Sequence, residues 1–97
     1  MSKFKITLPQ NEPFIRTTIT LGGEDYNLIL DWSYGGQFYR VRLVKDGVDL
    51  PISGKGLNPE IDVLESARLG IGKLYLVGDQ PTLSNLSLEN TLIYESV

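Results

Sequence analysis

The side chains that could carry chemistry in this 97-residue chain fall into three small groups. Carboxylates cluster at Asp46-Gly-Val-Asp49 and again at Asp62 and Glu65, spacings that invite a calcium ion or an acid–base pair. A calcium loop of the EF-hand kind needs a run of about twelve residues with acids at alternate positions, and a catalytic pair needs a cleft that perturbs a pKa. Neither pattern is visible, and these carboxylates read as solvated turn residues. Gly70-Ile-Gly72-Lys73 has the residue types of a phosphate loop but lacks the Gly-x-x-x-x-Gly-Lys-Ser/Thr spacing, and the residues after it have strand rather than helix character. Gly70-Ile-Gly72 therefore reads as a structural turn, and Gly54-Lys-Gly56 is no closer to a phosphate loop. Trp32, Tyr34, Phe38 and Tyr39, flanked by Arg40 and Arg42, could stack bases of single-stranded nucleic acid on an OB-like barrel.

Composition narrows the field. The chain has no Cys and no His, which removes thiol nucleophiles, disulfides, cysteine-based zinc sites and the commonest general acid–base group. Its net charge is −3 and its pI about 4.8, which gives no electrostatic footprint for nucleic acid or anionic lipid. Hydrophobic residues make up 41% and charged residues 22% of the chain. That is too apolar for disorder, yet no run approaches the roughly 18 apolar residues of a membrane span. The start, Met-Ser-Lys-Phe-Lys-Ile, shows no apolar signal-peptide core, so cytoplasmic synthesis is expected. The expectation is a single domain over residues 1–97 that is no enzyme and binds no metal, cofactor, nucleic acid or membrane.

The elements that would position these groups are strands. Tyr26, Leu28, Leu30 and Trp32 recur at every second residue with polar residues at Asn27 and Asp31, the pattern of a strand with one buried face. Ser33-Tyr-Gly-Gly36 interrupts it, and Phe38 to Val44 resumes strand chemistry. A four-residue loop at 33–36 places Leu30 opposite Tyr39, Leu28 opposite Val41 and Tyr26 opposite Leu43. All six then share one face, with Asp31, Arg40 and Arg42 on the other. A three-residue loop would turn both arginines into the core, at the cost of burying charge. Trp32 and Tyr39 thus have core parity, which competes with the stacking platform and leaves Tyr34 and Phe38 as exposed aromatics able to anchor a protein partner.

Along the rest of the chain, Phe4–Leu8 alternates and is closed by Pro9. Phe14–Leu21 is a strand rich in β-branched residues whose apolar positions do not share one parity, which points to a bulge or bend. Gly22-Gly23 can supply the positive φ angles of a tight hairpin, and Asp46-Gly47 is the strongest two-residue hairpin signal in the chain. A strand should start near Val48 and run past Leu50 to Pro51, with an extended stretch on to Leu57. Asn58-Pro-Glu60 has the residues of a helix start, so one or two helical turns near 59–67, or a loop packed by Ile61, Val63 and Leu64, should follow. Gly72–Val77 and Thr91–Tyr94 are strands, with a loop or single 3₁₀ turn from Thr82 to Leu88 between them. The fold class is all-β: a small antiparallel barrel or sandwich of six to eight short strands.

Several stretches together resemble the cyanophage-type baseplate plug family of contractile-tailed phages. They are Leu21-Gly-Gly-x-x-Tyr26, Leu28-x-Leu-x-Trp-Ser33, Phe38-Tyr39, Asp46-Gly47, Gly54-x-x-Leu57, Ile61-Asp-Val-Leu64, Arg68-Leu-Gly-Ile-Gly-x-Leu74, Pro81-Thr82, Asn85-Leu86 and Leu92-Ile-Tyr94. The similarity runs in order through essentially the whole chain. Two departures affect loops: Trp32-Ser33 stands where the family usually has Trp-Asn, and Asn85-Leu-Ser87 where it often has a glycine. The resemblance implies a non-enzymatic virion component in the centre of the tail baseplate, made in the bacterial host cytoplasm and packed against hub and tail-tube proteins and copies of itself around a threefold or sixfold axis. The alternative is an OB-like module for single-stranded nucleic acid or a small ligand.

Assembly of that kind calls for surfaces that meet neighbours. Phe4–Leu8, Leu50–Leu57 and Thr91–Tyr94 are the expected sheet edges, which makes Phe4, Ile6, Leu92 and Tyr94 candidate partner contacts alongside Tyr34 and Phe38. The competing outcome is that the first and last strands pair with each other and close a barrel.

Overall fold

The computed structural model describes residues 2–50, 55–65 and 70–97. Eight strands occur among them: β1 (Lys3–Ile6), β2 (Phe14–Leu21), β3 (Glu24–Ser33), β4 (Phe38–Lys45), β5 (Val48–Asp49), β6 (Lys55–Gly56), β7 (Gly72–Gly78) and β8 (Asn90–Ser96). They form two antiparallel sheets: one ordered β1-β8-β7, the other β2-β3-β4-β5 with β6 also on β4. The sheets pack as a sandwich and are not closed into a barrel. Between them lie Ile15, Ile19, Leu21, Leu28, Leu30, Tyr39, Val41 and Leu43 from the larger sheet and Leu74, Leu76, Leu92 and Tyr94 from the smaller.

The larger sheet grows from local turn chemistry. Gly22 and Gly23 both take positive φ (59° and 84°), linking Leu21 to Glu24 as a two-residue hairpin. Asp46 and Gly47 do the same (52° and 79°), joining Lys45 to Val48. Such turns match the twist of antiparallel strands and require residues that tolerate the left-handed region. The expected bulge in Phe14–Leu21 is absent, because the pairing with β3 is regular from end to end. Phe14 escapes the parity conflict by facing outward, where it is exposed.

The β3–β4 register differs from expectation by two residues. Leu30 lies opposite Val41, Leu28 opposite Leu43 and Trp32 opposite Tyr39. Ser33 joins the ladder opposite Phe38, moving the four-residue loop to 34–37. Hydrogen bonds favour this loop: the Gln37 N–H donates to Ser33 O at 2.7 Å, the Gly36 N–H donates to Ser33 Oγ at 3.2 Å, and Gln37 accepts φ of 58°. A shift of two preserves parity, so the buried set and the outward Asp31, Arg40 and Arg42 are as the sequence predicts.

The smaller sheet corrects the expected edges. β8 is its central strand, paired with β1 on one side and β7 on the other, so Thr91–Tyr94 presents no free edge. β1 and β8 do pair, first strand to last, without closing a barrel. On the outer side of β7 the helix-start reading of Asn58–Glu60 gives way to a loop. Glu60 has φ of 63°, outside the right-handed helical region. The Glu60 and Val63 N–H groups donate to Leu76 O and Leu74 O at 2.7 and 2.8 Å, and Val63 and Leu64 are buried while Ile61 is exposed. The continuation of this segment over 66–69, and the expected strand beyond Leu50 through 51–54, lie outside the described residues.

Tyr94 ties the two sheets together. Its hydroxyl accepts the Gly22 N–H at 2.9 Å and donates to the Ile71 carbonyl, joining the β2–β3 turn to the entry of β7. Tyr94→Phe leaves both backbone groups without this partner. The expected cost is about 1–3 kcal/mol, read as a lower urea midpoint with an unchanged m-value.

Candidate functional site

Two of the carboxylates suspected of chemistry, Asp49 and Asp62, are engaged in structural bonds. Asp49 accepts from Arg42 at 3.0 Å, and Asp46 occupies the β4–β5 turn. Asp62 is more than a solvated turn residue: its Oδ1 accepts the N–H groups of both Leu64 and Leu74 at 3.0 Å, pinning the 59–64 loop to β7. No group of three or more His, Cys, Asp or Glu suited to a metal ion occurs among the described residues. Gly70 and Gly72 have φ of 70° and 121° at the entry of β7, a structural turn as expected.

A shallow hollow of about 630 Å³ lies over the outer face of the smaller sheet, lined by Glu60, Asp62, Glu65, Lys73, Tyr75 and Glu95 among others. Within it the Tyr75 hydroxyl donates to Glu95 at 2.9 Å, and Lys3 approaches the same carboxylate at 3.7 Å. That hydrogen bond holds the Tyr75 hydroxyl above its usual pKa, because the carboxylate favours the protonated phenol. Lys3, Tyr75 and Glu95 thus partner one another at the edge of the hollow.

The aromatic cluster divides. Trp32 and Tyr39 are buried and meet edge to face, 5.0 Å between centroids at 69°, so neither is available to stack a base. Tyr34 is 65% exposed at the tip of the β3–β4 loop. Phe38 is half-buried, its ring lying over Gly36 and Gly56, where any added Cβ would meet it. The remaining candidate contacts also divide. Leu92 and Tyr94 are buried in the sandwich. Ile6 packs against the core, and Phe4 stays 53% exposed while stacking on Tyr94 at 6.0 Å.

Tyr39 is expected to make stability sensitive to alkaline pH. Burial raises its pKa, with Glu12 adding to the effect, and its hydroxyl donates to the Glu12 carbonyl at 2.8 Å. An acid whose folded pKa lies above its unfolded value stabilises the fold below the unfolded value, near 10, and that stabilisation is lost as pH rises through the folded value. Stability is therefore expected to fall above about pH 10. Tyr39→Phe should flatten that fall, measured by denaturant midpoints across the alkaline range.

Two residues that no sequence argument marked stand out on the outer face of the larger sheet. Arg16 and Phe14, both on β2, are exposed. Directly across from Arg16, Ile29 is buried although it faces outward, between Arg16 and Arg42 on the neighbouring strands. Arg40 and Arg42 pair with Asp31 and Asp49, whereas Arg16 has no carboxylate partner among the described residues.

The chain matches a family model described as "Cyanophage baseplate Pam3 plug gp18" over residues 3–97. A search of curated proteins finds no match.

Proposed function

Because the chain belongs to the cyanophage baseplate plug family, we propose that it fills the central channel of a contractile-tail baseplate, packed against hub and tail-tube proteins. The single observation that carries this reading is a family match spanning nearly the whole chain. The fold is in keeping with it: a tight β-sandwich with a radius of gyration of 12.4 Å, in which Asp49 and Asp62 are taken up in structural bonds. Copies of the chain would be arranged around the threefold or sixfold tail axis and meet their neighbours through related surfaces. Phe4, Ile6, Tyr34 and Phe38 are the side chains from the expected contact set that remain near the surface. The protein would be made in the host cytoplasm and end in the virion, with no enzymatic role.

Cryo-electron microscopy of purified tails tests this directly. The reading expects density for this sandwich on the tail axis, between tube and hub. Density at the baseplate periphery, or absence of the chain from purified tails by mass spectrometry, would sink it.

A further inference from the structure

We propose that the outer edge of β2 takes up a strand from a different baseplate protein, one that sets a carboxylate beside Arg16 and an apolar side chain toward Phe4. This rests on the baseplate reading for the class of partner, whereas the unpaired edge belongs to the sandwich itself.

Among the described residues, every other outer edge is blunted or short. On the side of β7, the 59–64 loop already occupies the carbonyls of Leu74 and Leu76 and the Leu74 N–H. The outer side of β4 is covered by β5 and β6, two residues each. β1 has four residues, and the Ser96 N–H bond to Ser2 O fixes which of its groups face β8. By the alternation of antiparallel pairs, Lys3 and Lys5 turn their backbone groups outward, and an edge lysine is a common device against strand addition.

β2 has none of these protections. It is eight residues long, regular, free of Pro and Gly, and carries one charge, Arg16. The Trp32 N–H bond to Pro13 O shows that its odd-numbered residues bond to β3. Phe14, Arg16, Thr18 and Thr20 therefore aim their N–H and C=O groups away from the sheet. No backbone bond from another described segment reaches them. In a solitary protein such an edge is a liability, and in an assembly it is a template for an added strand.

Charge identifies the occupant. On this outer face Arg40 takes Asp31 from the adjacent strand at 2.8 Å, and Arg42 takes Asp49 at 3.0 Å. Arg16 has Ile29 across on β3 and no described strand paired with it on its other side, where a carboxylate would complete the pattern. Residues 14–21 of a second copy contain no carboxylate, so pairing β2 with β2 leaves Arg16 unmatched. Apolar surface adds to the case. A groove of about 410 Å³ runs between the end of β2 and β1, lined by Phe4, Thr20, Gly22, Gly23, Tyr94 and Ser96. An added strand that alternates acidic and apolar residues would satisfy both faces.

Two measurements test it. In the assembled baseplate, the backbone of Arg16, Thr18 and Thr20 should hydrogen-bond a strand of another protein with a carboxylate at Arg16. If the edge is solvated, or pairs with a second copy, the proposal is overturned. Absence of the chain from the particle would instead overturn the baseplate reading, and the named partner with it. In phage complementation, Arg16→Glu and Thr18→Pro should lower incorporation into tails by about tenfold or more, while Lys5→Glu incorporates normally. Thr18→Pro removes only an outward N–H from the edge, and circular dichroism checks that each variant folds. If Thr18→Pro fails to fold, Arg16→Glu and the particle structure decide. Normal incorporation of folded Arg16→Glu would overturn the proposal.

Discussion

Trp32→Ala is expected to lower stability by about 3–5 kcal/mol, a large part of the roughly 5–15 kcal/mol that holds a domain together. The side chain is 6% exposed, and its ring meets Tyr39 in edge-to-face geometry at 5.0 Å. Its loss removes a large apolar surface and strips Tyr39 of the ring it packs against directly across the β3–β4 ladder. Trp32→Phe keeps an aromatic in place and should lose a smaller share. Urea titration followed by circular dichroism reads both. An unchanged midpoint for Trp32→Ala would put the indole in solvent and restore the aromatic platform as a site for stacked bases.

Gly72→Ala is expected to cost about 3 kcal/mol or more. Gly72 has φ of 121°, a region that side chains rarely enter, and an added Cβ would collide with the backbone carbonyl of Glu95. Because the obstacle is main chain, relief requires the β7–β8 ladder to shift at its end, where Gly72 pairs with Ser96. Gly47→Ala is the control. It also has positive φ (79°), but nothing lies within 4 Å of the position its Cβ would take. It should lose about 1 kcal/mol, the backbone term alone. Equal losses at the two glycines would show that the collision with Glu95 does not matter.

Local chemistry made much of the fold legible in the sequence. Gly22-Gly23 and Asp46-Gly47 announce hairpins because few residues accept their backbone angles, and period-two alternation marks the buried faces of β3 and β4. Parity was readable where exact pairing was not. Burying Arg40 and Arg42 is costly enough to exclude an odd shift, whereas a shift of two leaves every side chain on its face. The choice fell to hydrogen bonds of Ser33 and Gln37 that composition does not reveal. The position of β8 was illegible for a different reason: whether a strand is central depends on two distant segments, and nothing within Thr91–Tyr94 records them. Edges are the least legible feature: Thr91–Tyr94 reads as an edge strand yet is central, while β2 reads as an ordinary strand because an edge is defined by what is missing beside it.

The pairing of β1 with β8 has a consequence for the order of events in folding. The Ser96 N–H donates to Ser2 O at 2.8 Å, so Ser2 and Ser96 lie side by side, and the strand at the heart of the smaller sheet follows all the other described strands in sequence. The meander from β2 to β4 needs only neighbouring segments and can form while later residues are still being synthesised. β1 has no partner until β8 exists, and closing that distance carries the largest chain-entropy cost in the molecule. A nascent chain would therefore hold a finished larger sheet whose apolar inner face waits uncovered, and the arrival of β8 covers that face and captures β1 in one step. Linking Ser2 to Val97 by a short connector and opening the 97 residues at the exposed β4–β5 turn would make that slow closure local, and refolding should then speed up while the sandwich stays the same.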